Sequence, residues 1–154
     1  MSWTDYTAHL RAQNATDCAG ILSAEDGSLV AGDNFTVSSY QVEIPTDDDK
    51  GTRKVDVNEQ QNVLEVIKSG KCTSAAGMRL GQIKFQIVMA DLETGIVYLK
   101  KQKGGACLVK TNKTIVFGSW SEEQKIEGKG CPQNPGDCNK VCEGLAKILK
   151  DAGY

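Results

Sequence analysis

The chain has 154 residues, of which 40% are hydrophobic and 25% charged, and its formal net charge is −2. This length and balance predict a single domain, residues 1–154, that buries a real core, and they argue against a general nucleic-acid binder. No stretch is apolar for long enough to cross a membrane, and the polar N-terminus lacks a signal-peptide pattern. We therefore expect a cytoplasmic protein whose six cysteines are mostly reduced thiols.

The first predicted element is a helix from Ser2 to Arg11. Ser2 can accept hydrogen bonds from the free N–H groups of the first turn, and the negative charge of Asp5 suits the positive end of a helix. An apolar stripe at helical spacing contains Trp3, Tyr6 and Leu10. Such a stripe usually packs into the core, and partial exposure to a ligand is the alternative.

The next part predicts a hairpin, a loop and a helix. A hairpin over Asp17–Ala31 turns at Asp26-Gly27, which is a strong hairpin signal. The stretch Tyr40–Val55 is predicted to be the least regular part, with a solvated acidic loop whose consecutive aspartates are poorly spaced for calcium. A second helix is predicted over Val55–Ser69, with Asn58 as a possible cap.

Strands dominate the region after this helix. Alternation predicts a strand over Gln82–Ala90, and Ile96–Leu99 is the next one. The basic run Lys100–Gly118 predicts a meander with a hairpin turn at Lys103-Gly104-Gly105. Because no acid lies between Thr94 and Ser121, its lysines predict one basic rim that can meet a negative surface, or else a solvated edge that charge protects from aggregation.

The last predicted elements are a polar loop over Ser121–Gly136 and a helix that runs to Lys150, capped by Asp137 or Asn139. Together the elements predict an α/β chain of the α+β type. We expect a single central antiparallel sheet of about six or seven strands, with the N- and C-terminal helices on one face and shorter helices on the other.

The sequence gives little support to catalysis or metal binding. His9 is the single histidine, and it has no nucleophile motif beside it. No phosphate-cradling glycine loop is present, and Cys131, Cys138 and Cys142 lack a CxxC pair. We therefore expect no enzyme, no metal site and no cofactor, and a thiol or metal enzyme is the weakest alternative.

The two terminal helices predict a binding groove if they are neighbours on one face of the sheet. They would then pool aromatic and aliphatic side chains from both ends of the chain. Such a groove suits a polyproline II ligand, which is already extended and exposes its carbonyls. The residues concerned are Trp3, Tyr6, Ile148, Leu149 and Tyr154.

Several motifs, in the right order and spacing, resemble those of profilin over nearly the whole chain. The run Lys100–Gly118 and the motif that begins at Pro135 are very similar to those of plant-type profilins. The acidic loop over residues 46–54 and the segment 121–133 are longer than usual in the family, which suggests a divergent, protist-like lineage. The motifs are Ser2-Trp3-Thr4-Asp5-Tyr6, Ala19-Gly20-Ile21 with Asp26-Gly27-Ser28, Gly77-Met78-Arg79-Leu80-Gly81, Lys100–Gly118, and Pro135-Gly136-Asp137-Cys138-Asn139-Lys140.

The resemblance implies a cytoskeletal protein that binds monomeric actin, promotes its nucleotide exchange and regulates its polymerisation. It also implies partners with proline-rich segments, such as formins, and acidic phosphoinositide lipids. Carried over by position, the actin contacts are Ile87, Lys101, Lys110, Gly136, Asn139, Lys140 and Glu143. The polyproline contacts are the five groove residues above, and the phosphoinositide contacts are Lys100, Lys101, Lys103 and Lys110.

Three departures from the family pattern affect these expectations. Many profilins have a second tryptophan where this chain has Val30, and some have a histidine where it has Ile148. Met89 stands where the family has an arginine. We therefore expect weaker polyproline and actin binding, and the alternative is a profilin-fold module for polyproline or lipid with weak or no actin binding.

Overall fold

A computed structural model describes residues 2–11, 15–48, 50–124 and 132–154 of the chain. In this part of the chain the helices are α1 (Trp3–Leu10), α2 (Glu59–Ser69) and α3 (Pro135–Asp151). The strands are β1 (Cys18–Ser23), β2 (Leu29–Asp33), β3 (Ser39–Pro45), β4 (Thr52–Asn58), β5 (Met78–Leu80), β6 (Ile83–Asp91), β7 (Ile96–Lys101), β8 (Gly104–Lys110) and β9 (Thr114–Ser121).

Seven of the strands form one antiparallel sheet in the order β2-β1-β9-β8-β7-β6-β5, which confirms the predicted architecture. The last strand, β9, lies between β1 and β8 in this sheet. Helices α1 and α3 cover one face, here called the helical face, and α2 covers the other, here called the α2 face. The described residues contain one helix on the α2 face, where several were predicted.

Successive side chains along each strand point to opposite faces of the sheet, so the core has two parts, one on each face. On the helical face, Ile21, Val109 and Val116 pack against the buried sides of α1 and α3. On the α2 face, Leu108, Ile115 and the aromatic rings of the sheet pack against α2. The helices and the long strands were predictable because each carries an apolar side of the right period.

The stretch predicted to be irregular is a hairpin. Strands β3 and β4 pair with each other, apart from the main sheet, with Val42 opposite Val55. The signal was present in the sequence, since Tyr40, Val42 and Ile44 alternate with polar residues. The proline and the acidic run masked this signal, although Pro45 is the last residue of β3 and Asp47 and Asp48 lie in the turn beyond it.

Two helix starts also differ from the prediction. Helix α2 begins at Glu59 rather than at Val55, because residues 52–58 belong to β4, and Asn58 is its N-cap. Helix α3 begins at Pro135, and its N-cap is Asn134, whose Oδ1 accepts a hydrogen bond from the Asp137 N–H at 2.9 Å. Proline suits the first turn of a helix because its missing N–H is not needed there.

The glycine pair in the basic run serves a different purpose from the one predicted. The turn lies at Gln102-Lys103, where Lys103 has a φ of 56°, and both glycines belong to β8. A Cβ on Gly105 would lie 2.5 Å from the Leu99 carbonyl oxygen and 2.9 Å from Trp120 Nε1, and one on Gly104 would collide with the Trp120 carbonyl oxygen. The glycines are needed for close packing of neighbouring groups.

Some predictions fall on residues outside the described ranges. They include residues 125–131 of the predicted polar loop, with Cys131, and Asp49 of the predicted acidic loop. No helix among the described residues is long and apolar enough to span a membrane.

Candidate functional site

Helix α1 presents an aromatic residue at its first position, and a capping box holds its start. Ser2 Oγ accepts a hydrogen bond from the Asp5 N–H at 3.3 Å, and Asp5 Oδ2 accepts one from the Ser2 N–H at 2.9 Å. The hydrogen bond from the Ser2 backbone lowers the pKa of Asp5 most, and hydrogen bonding with the Ser2 side chain lowers it further. This reciprocal cap sets the direction in which Trp3 enters the helix.

The ends of the chain meet in an aromatic cluster on the helical face. The ring centroid of Trp3 lies 5.5 Å from that of Tyr6 and 5.0 Å from that of Tyr154, with the second pair edge to face. Two backbone bonds hold Tyr154 in place: its N–H donates to the Leu149 carbonyl, and its carbonyl accepts from the Lys113 N–H, both at 2.8 Å. The structure therefore brings these three aromatic residues together.

The two aliphatic residues predicted for this groove lie on different sides of α3. Ile148 is 44% exposed, whereas Leu149 is fully buried in the core under α1 and α3. Leu149 therefore supports the groove from below, and its direct contact with a ligand stays a prediction. Val30 is 39% exposed on β2, a strand against which α1 packs.

A second feature is a depression of about 420 Å³ on the helical face, beside the start of α3. Its sheet side includes Tyr98 and Lys100 on β7 and Trp120 on β9, and Pro135 and Asn139 form its α3 side. Trp120 is half-buried and sits against Gly105, so the close packing of β8 and β9 determines where the indole lies. Its lining combines apolar and aromatic side chains with lysines, Glu122 and Asn139.

A bulge in β6 adds apolar surface to this depression. The register between β6 and β7 shifts between Ile87 and Met89, so that Val88 is the extra residue and Met89 lies opposite Tyr98. Val88 is 64% exposed and lines the depression. Ile87 instead is partly buried against the core of the α2 face, and its contact with actin stays a prediction.

Asn139 is the polar residue of α3 that lines the depression, and Gly136, Lys140 and Glu143 belong to the same helix. Asn139 and Glu143 are half-buried, whereas Gly136 and Lys140 are exposed. Burial, and then the charge of Glu143, raise the pKa of Tyr98. The Tyr98 phenol is therefore neutral near pH 7 and available to donate a hydrogen bond.

The predicted basic rim is divided: Lys100, Lys101 and Lys103 border one depression, whereas Lys110 lies at the far end of β8. Lys101 points to the α2 face, where its ammonium lies 3.1 Å from Asp17 Oδ2 and its side chain is only 11% exposed. Lys103 pairs with Glu123 at 3.4 Å, and Lys110 lies at the opposite end of β8. A lysine-rich run in a strand points to both faces in turn, which is why the spacing in sequence was misleading.

Three buried cysteines lie between the sheet and α3. Cys138 donates to the Gly118 carbonyl at a distance of 3.4 Å, and Cys107 is the strand partner of Gly118. Three effects raise the pKa of the Cys142 thiol: hydrogen bonding to Cys107 is the largest, hydrogen bonding to Cys138 comes second, and burial third. In the part of the chain that the structure describes, no group of three or more potential ligands can hold a metal ion.

Sequence reasoning missed Val88, Tyr98 and Trp120 as part of the candidate site. Alternation along β6 and β7 could have placed the first two on one face, but the bulge is not visible in the sequence. Nothing in the sequence says that Trp120 lies beside α3, because that contact depends on how the sheet closes.

These features define a small α+β domain whose terminal helices lie side by side and carry an aromatic cluster, with a depression beside the second helix. A model of the profilin family matches residues 1–154. The profilin of Tetrahymena pyriformis is 33% identical over 157 aligned positions, which cover 99% of this chain and 98% of that protein. The chain therefore belongs to the profilin family.

Solved structures show the same fold. Profilin II of Acanthamoeba castellanii is 25% identical, with a TM-score of 0.71 over 99% of this chain and all of that one. Mouse profilin IIa, solved with a double repeat from the FH1 domain of mDia1, is 18% identical, with a TM-score of 0.62 over the full length of both chains. LokiProfilin1, solved with rabbit actin, is 15% identical, with a TM-score of 0.61 over 99% and 98% of the two chains. At these identities the last two show the fold alone.

Proposed function

We propose that this chain binds monomeric actin through the depression on the helical face and regulates actin polymerisation and nucleotide exchange. The observation that carries the proposal is the membership of the profilin family together with an apolar depression of about 420 Å³ beside α3. A profilin of the same fold has been solved with actin. The chain would act as an adaptor in the cytoplasm, at the cytoskeleton, with no catalysis of its own.

The chemistry of the depression suits a protein partner. Interface hot spots are commonly aromatic residues in a desolvated centre, with charged residues at a solvated rim. Trp120 and Tyr98 would supply the centre, and the bulge residue Val88 would extend it. The predicted actin contacts that remain at its rim or on the adjoining surface of α3 are Gly136, Asn139, Lys140 and Glu143.

Two predicted actin contacts take other roles in this proposal. Lys101 borders the depression, but its ammonium is paired with Asp17, so it would support the β7–β8 hairpin more than it would contact actin. Lys110 is exposed at the far end of β8, where it could meet only the periphery of a large partner.

We further propose that the aromatic cluster binds proline-rich segments such as those of formins. A profilin of this fold has been solved with a proline-rich FH1 repeat. Trp3 and Tyr154 would stack on proline rings, and Ile148 would extend the apolar surface. Val30 would contribute only an aliphatic contact, so we expect modest affinity.

Phosphoinositide binding is the least supported part of the proposal. The exposed lysines Lys100 and Lys103 lie near the β7–β8 turn, whereas Lys101 is paired and Lys110 is distant. A head group would therefore meet a small basic site rather than a continuous rim. Binding to acidic vesicles should weaken at high salt and in a Lys100→Glu/Lys103→Glu variant.

Reciprocal variants test the two protein-binding proposals together. Trp120→Ala should weaken actin binding by at least about tenfold while leaving the affinity for a proline-rich peptide unchanged. Tyr154→Ala should do the reverse. Actin binding is measured by sedimentation velocity and by the release rate of a fluorescent nucleotide, and peptide binding by calorimetry.

The outcomes distinguish the proposal from its alternative. If the wild-type chain binds proline-rich peptide or acidic vesicles but forms no complex with actin, it is a polyproline- and lipid-binding module of the profilin fold. The uncharged Met89, 39% exposed beside Tyr98 on the helical face, favours this alternative. If Trp120→Ala binds actin as tightly as wild type does, the depression is not the actin site.

A further inference from the structure

The β3–β4 hairpin stands apart from the main sheet. In the described residues each of its two strands pairs only with the other, so both outer edges carry unpaired backbone groups. At the base of the hairpin, where it joins the rest of the domain, the Glu59 N–H donates a hydrogen bond to the Ser38 carbonyl at 3.2 Å. An exposed strand edge is a template for pairing with another strand.

The body holds the base of this hairpin firmly. The carboxylate of Glu59 is fully buried and accepts hydrogen bonds from the Ser38 N–H at 3.0 Å and the Tyr40 hydroxyl at 2.7 Å. It also accepts from the N–H groups of Gly81 at 3.1 Å and Gln82 at 2.7 Å. Because one carboxylate joins β3 to the turn before β6, the hairpin projects in a defined direction.

An open groove runs along β4. Its volume is about 440 Å³, and β4 lines one side of it through Val55, Asp56 and Asn58. Helix α2 and residues 73–75 line the other side, and no residue of β3 takes part. The groove therefore lies at the outer edge of β4, where it leaves room for an extended strand.

The charge pattern of β4 is complementary to itself. When two antiparallel copies are centred on Val55, Lys54 of each copy lies opposite Asp56 of the other. This register also keeps the apolar residues Val55 and Val57 on the same side in both copies. Centring the pair on Lys54 or on Asp56 instead would place like charges opposite each other, so the pattern selects one register.

We propose that this surface binds a second copy of the same chain, through antiparallel pairing of β4 with β4 about a two-fold axis at Val55. The result is a four-stranded sheet in which two lysine–aspartate pairs flank the axis, and the interface is isologous. The proposal does not depend on actin or polyproline binding, because β4 lies outside both candidate surfaces.

Sedimentation velocity of the isolated chain, in reducing buffer and over about two decades of protein concentration, tests for the dimer. The sedimentation coefficient should rise from the monomer to the dimer value. Lys54→Glu and Asp56→Lys should each weaken self-association about tenfold, since each places like charges in both symmetry-related pairs. The combined Lys54→Glu/Asp56→Lys variant should restore it.

The double variant separates pairing between chains from effects within one chain. Lys54 also faces Glu43 within the hairpin, and Asp56 accepts a bond from Gln41 at 2.9 Å, so each single variant can weaken the hairpin itself. The double variant keeps both of those disturbances, and its recovery would report contact between copies alone. Lys50→Glu, an equal charge change at the exposed turn, is the matched control and should have no effect.

Hydrogen exchange provides a second readout if a variant folds poorly. In the wild-type chain, the amides of β4 should become more protected as the concentration rises, while those of β2 should not change. A chain that stays monomeric throughout, or single and double variants that associate equally, would overturn the proposal.

Discussion

The two faces of the main sheet are packed in different ways. The helical face uses small side chains and thiols, including Ala19, Cys107 and Ala146, so α1 and α3 approach the sheet closely. The α2 face uses aromatic rings, with Phe35 stacked on Phe117 at 4.4 Å between centroids, and beside them a cavity of about 480 Å³ remains. A fully buried acidic side chain, Glu59, lies on the α2 face.

This difference separates two tasks. On the helical face the close approach of α1 and α3 sets the positions of the aromatic cluster and the depression, so shape complementarity governs both candidate sites. On the α2 face, acidic groups fasten loops and strand ends: Glu59 holds the hairpin, and Asp17 holds Lys101 and Ser119. We therefore expect substitutions on the first face to affect binding, alone or together with stability, and substitutions on the second to affect mainly stability.

The largest effect should come from Glu59→Ala. It leaves the Tyr40 hydroxyl and the N–H groups of Ser38, Gly81 and Gln82 without their acceptor, and should lower the free energy of unfolding by about 3 to 5 kcal/mol. Denaturant unfolding measures the change. The exposed Glu93→Ala is the control and should change little. A loss as small as that of the control would show that the carboxylate does not fasten this face.

Gly118→Ala tests the close packing of the helical face. The new Cβ would lie 2.5 Å from Cys142 Sγ and 3.2 Å from Thr16 Cγ2, which should cost about 2 to 3 kcal/mol and displace α3. Actin and peptide binding should weaken as well. The combined Gly118→Ala/Cys142→Ala variant removes the sulfur and should recover part of the stability. If the double variant is less stable than the single one, the sulfur contact is not the cause.

Lys100 and Lys101 are neighbours in sequence, but substitution of Lys101 should lower stability, whereas substitution of Lys100 should not. Lys101→Met leaves the carboxylate of Asp17, a group 19% exposed, without its ion pair and should cost about 1 to 2 kcal/mol once partial solvent screening is allowed for. Lys100→Met should leave stability unchanged and weaken actin binding or vesicle binding. Thermal unfolding and actin titration of both variants check this pair. Equal stability of the two would mean that the ion pair contributes nothing.

The sequence allowed the elements of the helical face to be predicted better than those of the α2 face, for a physical reason. Helices α1 and α3 and the motif Ser2–Tyr6 carry local signals, namely caps and apolar stripes, that act within a few residues. The placement of Lys101 and Ile87 on the α2 face depends instead on strand register and on one bulge, as does that of Trp120 on the helical face. Those are set by contacts between distant segments, which a single sequence does not display.

The smallest effect concerns the cap of α1 and depends on pH. The folded state lowers the pKa of Asp5 from its ordinary value of 3.8, through bonds with the backbone and then the side chain of Ser2. Folding therefore favours the ionised carboxylate, so its stabilising effect is complete above the unfolded pKa and disappears as the pH falls through the lower folded value. Wild type should unfold at a higher temperature than Asp5→Ala at pH 7, and this difference should vanish in strongly acidic buffer. A difference that persists there would assign the effect of Asp5 to helix propensity rather than to the charged capping box that orients Trp3.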